Sequence, residues 1–332
     1  MTRNDVVQAI LADRPRQPGT QGEGRAPANI ALCKYWGKRD AELNLPRTDS
    51  LSLSLGDLGT HTRVRPAGKH DRILLDDHEV AAEQPFAQRI IAFLDLVRPP
   101  GMAFEVATRN TVPTAAGVAS SASGFAALVK ALNALFDWHL TTREKSILAR
   151  LGSGSACRSL THGFVHWTAG TRADGMDSFG RPLDCRWPGL QLGLVPVDTA
   201  PKAVSSRTAM QRTVETSLLY GNWPQRVEQD LQSLLEAVAA TDLERLGQTA
   251  EANAMAMHAT MLDSRPPVVY WQPGTLQAIH QVRNLRADGI PVYCTIDAGP
   301  NVKLIFHADA TEHVAAAFPG VTCVAAGETT AH

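Results

Sequence analysis

Thirteen residues from Val112 to Gly124, VPTAAGVASSASG, hold two glycines, one proline and otherwise only Ala, Ser, Thr and Val, and they run straight into a helical pattern. A backbone without bulky side chains can bring its N–H groups close to an anion. A helix start adds the positive end of the macrodipole, roughly half a charge. The stretch is therefore a candidate phosphate site, with Ser120, Ser121 and Ser123 offering hydroxyls to phosphate oxygens or to a metal ion's water shell. The alternative is an ordinary small-residue turn into a core helix, since neither G-x-x-x-x-G-K-[ST] nor G-x-G-x-x-G occurs. GSGSACRS at Gly152–Ser159 carries Arg158, whose planar fork matches carboxylate or phosphate; a helix cap with a surface arginine is the other reading. KYWGKRD at Lys34–Asp40 sets two lysines and a tyrosine in one segment, which would also suit a charged strand end. In TIDAGPNVK, Asp297 stands between β-formers and a Gly-Pro turn and is either a turn cap or a catalytic carboxylate. VSSR at Val204–Arg207 precedes a helix and is a second candidate anion-binding N-terminus. His258 reads as packing or as a buried hydrogen-bond partner rather than a metal ligand, and Met255, Met257 and Met261 read as core.

The elements that must hold these residues follow from periodicity. Leu51, Leu53 and Leu55 alternate with Ser52 and Ser54, which predicts a half-buried strand. HTRVRP, DRILLDD, Met102–Thr108, GFVHWTAG and LQLGLVPVD read as further strands, and PVYCTIDAGPNVKLIFHAD as two strands joined near Gly299-Pro300. Helical spacing predicts helices over Pro85–Val97, from Phe125 through Leu135, over Thr142–Leu151 with Gly152 as its stop, and over Ala209–Tyr220, Pro224–Ala240 and Asp242–Met261. Val6–Leu11 has room for one or two helical turns, and Arg14–Arg25 reads as a flexible lead-in. A β-rich first half and a helix-rich second half, each with strands, predict an α+β protein with a boundary near Pro188–Leu192.

With 332 residues, 44% hydrophobic and 20% charged, the chain suits two domains or one large one. A formal net charge of −1 and the lack of a basic stripe exclude a nucleic-acid wrapper. No apolar run nears the roughly 20 residues needed to span a bilayer, so no membrane partner is expected. Five widely spaced cysteines, an odd number without a Cys-x-x-Cys pair, predict reduced thiols in a cytoplasmic protein.

APANIALCKYWGKRDAELNLP, TVPTAAGVASSASGFAAL, RLGSGSACRSL, VSSRTAM, HATMLDSRPP and YCTIDAGPNVKL, in this order across about residues 25 to 305, resemble the diphosphomevalonate decarboxylase family of the GHMP kinase superfamily. The resemblance implies an α+β, two-domain GHMP kinase fold: a flexible segment at 1–24, a ribosomal-protein-S5-like α/β domain at 25–190, a ferredoxin-like domain at 191–332, and a cleft between them. It implies ATP-dependent decarboxylation of mevalonate 5-diphosphate to isopentenyl diphosphate, through 3-hydroxyl phosphorylation, phosphate loss and CO2 release. Implied with it are ATP and Mg2+ and a homodimeric state. Carried over by resemblance, the catalytic residues are Asp297, Lys34 and Arg158. The substrate is met by Tyr35, Lys38, Ser153, Ser155, Arg158, Ser205 and Ser206. ATP is met by Pro113, Ala116, Gly117, Ala119, Ser120, Ser121 and Ser123, with Ser121 also toward Mg2+. The chain departs from the pattern at LPRTDSLS, where Thr48 and Asp49 replace a neutral pair, at Met255 and at Ala209. An acid beside a polyanion pocket needs a partner, for which Arg47 and Lys38 are the candidates. The competing readings are a mevalonate 5-phosphate decarboxylase, a 3-kinase that stops before decarboxylation, and a non-catalytic GHMP-fold binding protein.

Overall fold

The computed structural model describes residues 1–112, 120–200 and 202–326. Helix α1 (Arg3–Leu11) leads to strands β1 (Gly22–Cys33), β2 (Lys38–Asp40), β3 (Leu45–Pro46), β4 (Ser50–Pro66), β5 (Arg72–Leu75) and β6 (His78–Val80). Then come α2 (Pro85–Val97), β7 (Phe104–Asn110), α3 (Ser120–Phe136), α4 (Thr142–Gly152), a 3₁₀ turn over Gly154–Arg158, β8 (Phe164–Trp167) and β9 (Gly180–Pro182). Their seven-stranded sheet runs β6-β5-β7-β4-β8-β9, with β1 also paired to β4. The second half begins with β10 (Leu190–Val195). Helices α5 (Ser206–Thr216), α6 (Trp223–Ala240), α7 (Leu243–Leu262) and α8 (Pro273–Ala287) follow, then β11 (Val292–Ile296), β12 (Val302–His307), α9 (Thr311–Ala317) and β13 (Thr322–Ala325). The order β11-β12-β10-β13, antiparallel throughout, is the ferredoxin-like arrangement, with four helices in its first crossover.

Serine alternation in β4 predicts one wet face, yet Leu51, Leu53, Leu55, Ser50, Ser52 and Ser54 are all buried. The strand is covered on both sides. Its leucines share a core with Leu192, Leu194 and Ile305 of the second sheet and with Val227, Leu234 and Met257 of α6 and α7. On the serine face, Ser54 Oγ accepts from the Gly163 N–H at 2.8 Å and Ser50 meets Arg158.

The structure also corrects the flexible lead-in. Thr2 and Asp5 form a capping box at the start of α1. Val6, Val7, Ile10 and Leu11 pack into the core formed by α2, α3 and α4. Residues 22–24 are already in β1, where α3 passes so close that a Cβ on Gly22 or Gly24 would stand 2.2 Å from a helix carbonyl oxygen. The small residues that look like linker composition are there for helix–strand contact. All five cysteines are free, and no helix among the described residues is long and apolar enough to cross a membrane.

Candidate active site

The register of β1 against β4 shifts between Pro27 and Asn29 and again between Ala31 and Cys33. Such irregularities re-aim side chains, and Asn29, Ala31 and Lys34 all face one cavity of about 480 Å³. Asp297, just past β11, faces the same cavity. Its carbonyl oxygen closes the turn by accepting from Gly299 N–H at 2.7 Å and lies 3.1 Å from His258 Nε2. The carboxylate is therefore free of capping work. Its Oδ1 accepts from Lys34 Nζ at 2.8 Å, while Oδ2 lies 3.6 Å from Lys303 Nζ. Burial pushes this carboxyl up, but Lys34, Lys303 and Lys202 outweigh burial and hold it below the usual carboxylate range. Burial pulls the Lys34 ammonium down, and Asp297 opposes that pull. Burial, with Lys34 nearby, pushes the His258 imidazole down to about 3. It is a neutral buried hydrogen-bond partner, its ring tilted against that of Trp271 with centroids 5.0 Å apart.

Arg158 ends the 3₁₀ turn and is 3% exposed. Its Nη1 donates to Ser50 Oγ at 2.7 Å and its Nη2 to Asn29 Oδ1 at 3.5 Å, and the guanidinium lies 5.5 Å from the Trp167 ring centroid. Arg158 Nε and Tyr35 Oη are buried without a hydrogen-bond partner among the described residues. Both belong to cavity-lining side chains, and unpaired buried polar atoms are costly unless a ligand meets them. Lys38 Nζ donates to Asn44 Oδ1 at 2.7 Å. Asn44 adopts left-handed φ and anchors itself on the carbonyls of Arg150 and Leu151. Burial, together with Arg207, Arg3 and Arg89, brings Lys38 down to about 8.

Ser153, Ser155, Ser205 and Ser206 line this cavity. Ser205 also caps α5, accepting from Thr208 N–H at 3.1 Å. Ser121 sits at its edge, its Oγ 3.4 Å from Ser153 Oγ. Through Ser121 and Arg89 the site joins a second cavity of about 400 Å³, lined by Thr60, Thr108, Ile90, Val106 and Phe125 among others. Ser123 stands two residues further along α3. It is fully buried and 2.7 Å from Thr60 Oγ1, inside the contact of α3 with β4 rather than on either cavity. Pro113, Ala116, Gly117 and Ala119 lie outside the described residues, as does the side chain of Ser120. The expected partners of Asp49 are corrected too: it binds His166 Nε2 at 2.8 Å and the Ala169 N–H at 2.8 Å, not Arg47 or Lys38.

Residues 26–180 match the model of the diphosphomevalonate decarboxylase-like N-terminal domain, and residues 194–331 that of the mevalonate 5-diphosphate decarboxylase C-terminal domain. The chain belongs to the diphosphomevalonate decarboxylase family. The diphosphomevalonate decarboxylase of Candida albicans is 36% identical over 300 residues, covering 85% of this chain and 83% of the relative. The mevalonate diphosphate decarboxylase of Enterococcus faecalis is 40% identical with a TM-score of 0.86, over 93% of this chain and 98% of that one. A complex of MDDEF with MVAPP, AMPPCP and magnesium is 40% identical with a TM-score of 0.88, over the same shares.

Sequence reasoning on this member of the family passed over Asn29, Arg89, Lys202, Arg207 and Lys303. Arg207 directly follows the two serines of VSSR, so its signal lies in that motif. Arg89 lies on α2, whose sequence pattern is dominated by its apolar stripe. Lys303 alternates with Val302 and Leu304 in a strand and looks like an ordinary strand lysine until the sheet is assembled.

Proposed function

We infer that the protein is an ATP-dependent decarboxylase that converts mevalonate 5-diphosphate to isopentenyl diphosphate, ADP, phosphate and CO2. The observation that carries this reading is the meeting of the Asp297–Lys34 pair, Arg158 and the start of α3 around one pair of joined cavities. Asp297 is the proton acceptor for the 3-hydroxyl. A carboxylate of ordinary pKa about 3.9, here held lower still, cannot remove an alcohol proton beforehand. The O–H bond therefore breaks as the oxygen bonds to the γ-phosphorus and ADP leaves with the bridging oxygen, and placement and charge balance matter more than basicity. Lys34 orients the carboxylate and balances phosphoryl charge. Phosphate then leaves C3 with the bonding pair. Arg158, held by Ser50 and Asn29, fixes the substrate carboxylate so that the C–C pair released with CO2 forms the new double bond. Tyr35, Lys38, Ser153, Ser155, Ser205, Ser206 and Arg207 surround the diphosphate. The smaller cavity, with apolar walls and three threonines, suits the nucleoside. Ser121 is a neutral oxygen donor at the cavity edge that would face a magnesium ion bound with the nucleotide, and the ion would supply charge neutralisation there.

On the same reading residues 25–190 and 191–332 are the two domains, and the chain is a cytoplasmic homodimer. Supporting the dimer, Leu218 (82% exposed) and Leu219 sit beside Asp263, next to exposed Leu262. The deciding experiment is ADP and CO2 release measured side by side on mevalonate 5-phosphate and 5-diphosphate. Equal ADP and CO2, faster with the diphosphate, is expected. ADP without CO2 would make the protein a kinase, and preference for the monophosphate would change its substrate.

A further inference from the structure

Asp297 has a second ammonium beside it, to which the mechanism above gives no part. Lys303 is the second residue of β12, opposite Leu194 of β10 and Thr295 of β11. Its neighbours Val302, Leu304 and Phe306 pack with Ile279, Val282 and Val314 on one side of the sheet. Ile305, two residues on and so on the same face as Lys303, joins the core shared with the first half of the chain. Lys303 is 2% exposed. Besides Asn301 O at 3.2 Å, its Nζ has Asp297 Oδ2 at 3.6 Å, while Lys34 holds the opposite oxygen at 2.8 Å. A buried ammonium is expensive without an anion. A methionine would fill a similar volume between two apolar strands without that cost.

We propose that Lys303 is a positioning residue for the proton-transfer step: with Lys34 it clamps the Asp297 carboxylate from both sides, and its charge is released toward the transferring phosphoryl group when Asp297 takes the proton. The proposal rests on the decarboxylase reading. Before transfer, two ammoniums face one carboxylate. As the hydroxyl O–H breaks and its proton arrives on Asp297, the carboxylate stops neutralising them, and the field of both positive charges acts on the phosphoryl oxygens while the new O–P bond forms and the bond to ADP breaks. The other charged or titratable groups around the carboxylate are Lys202 from the segment before α5, Arg158 from the 3₁₀ turn and neutral His258 from α7.

The test compares Lys303→Met and Lys303→Arg with the wild-type enzyme, each checked for an unchanged circular dichroism spectrum. In Lys303→Met, kcat falls about tenfold or more, both KM values stay within about threefold, and the acid limb of kcat/KM moves up by about one pH unit. Lys303→Arg keeps the charge and the wild-type limb. An unmoved limb and kcat in Lys303→Met, or the same shift in Lys303→Arg, overturns the proposal. So does a raised nucleotide KM at constant kcat, which would make Lys303 a phosphate grip. Isotope-edited infrared titration of the Asp297 carboxyl, its band identified with Asp297→Asn, reads the same shift without turnover. Absence of wild-type CO2 release would thus defeat the decarboxylase reading and leave this measurement standing.

Discussion

Asp297 and Lys38 lie in one cavity and have opposite electrostatic problems. The carboxylate is surrounded by cations, so it stays ionised to lower pH than an ordinary carboxylate, and its value lies in where it accepts a proton rather than in its strength as a base. Asp297→Asn should lower turnover by about 10³-fold, in the upper range for removal of a general base, while equilibrium binding of ATP changes little. Wild-type turnover in that variant would remove Asp297 from the chemistry. Lys38 is a cation among cations. Its ammonium is brought down to about 8, so it is charged below that pH and neutral above it. Grip on a polyanionic substrate should accordingly weaken as pH rises past about 8, seen as a falling kcat/KM for the diphosphate. Lys38→Met should lose that limb and raise KM about tenfold or more, the scale of one lost charge-assisted hydrogen bond.

Among the elements, α1 links the N-terminus to the substrate side of the cavity. Its apolar face packs in one cluster with Leu43 and Leu45, the two residues that flank Asn44, and Arg3 Nε donates to the Glu42 carbonyl oxygen at 2.7 Å. Asn44 in turn receives Lys38. Leu11, 1% exposed, is the most informative truncation. Leu11→Ala should cost about 2–4 kcal/mol in urea unfolding, and Arg3→Ala should raise KM for the diphosphate with ATP KM unchanged. A stability loss without any KM change in either variant would make α1 a purely structural element. Asp49, just before β4, is the comparable brace, tied to His166 within β8 and to the Ala169 N–H in the loop after it. Burial pushes the Asp49 carboxyl up, but His166 and the Ala169 N–H outweigh it and hold it low. A depressed carboxyl stabilises above its unfolded value near 3.9 and loses that contribution as pH falls. Asp49→Asn should therefore flatten the acid side of the stability–pH curve.

Over the whole molecule, one of the two main cores ignores the boundary between the two sheets. Leu51, Leu53 and Leu55 of the first sheet pack in one cluster with Leu192, Leu194 and Ile305 of the second and with α6 and α7. The two halves should therefore unfold together, in one transition by both fluorescence and circular dichroism, despite the length of the chain. Two separated transitions would show that the shared cluster does not couple them.

Sequence alone determined the chemical vocabulary and the local elements. Small residues before α3, Arg158 in GSGSACRS, Asp297 before a Gly-Pro turn, and the helices α2, α4, α6 and α7 were legible because each is written in consecutive residues, where propensity and periodicity act. What each polar group meets was not legible. Lys34 reaches Asp297 across 263 positions, Asp49 finds His166 rather than a neighbouring cation, and Ser123 turns into the sheet two residues from Ser121 at the cavity edge. Only the packed sheets and helices decided those pairings. A charge or hydroxyl takes whichever partner burial leaves within reach, and burial is a property of the assembled core rather than of any segment that enters it.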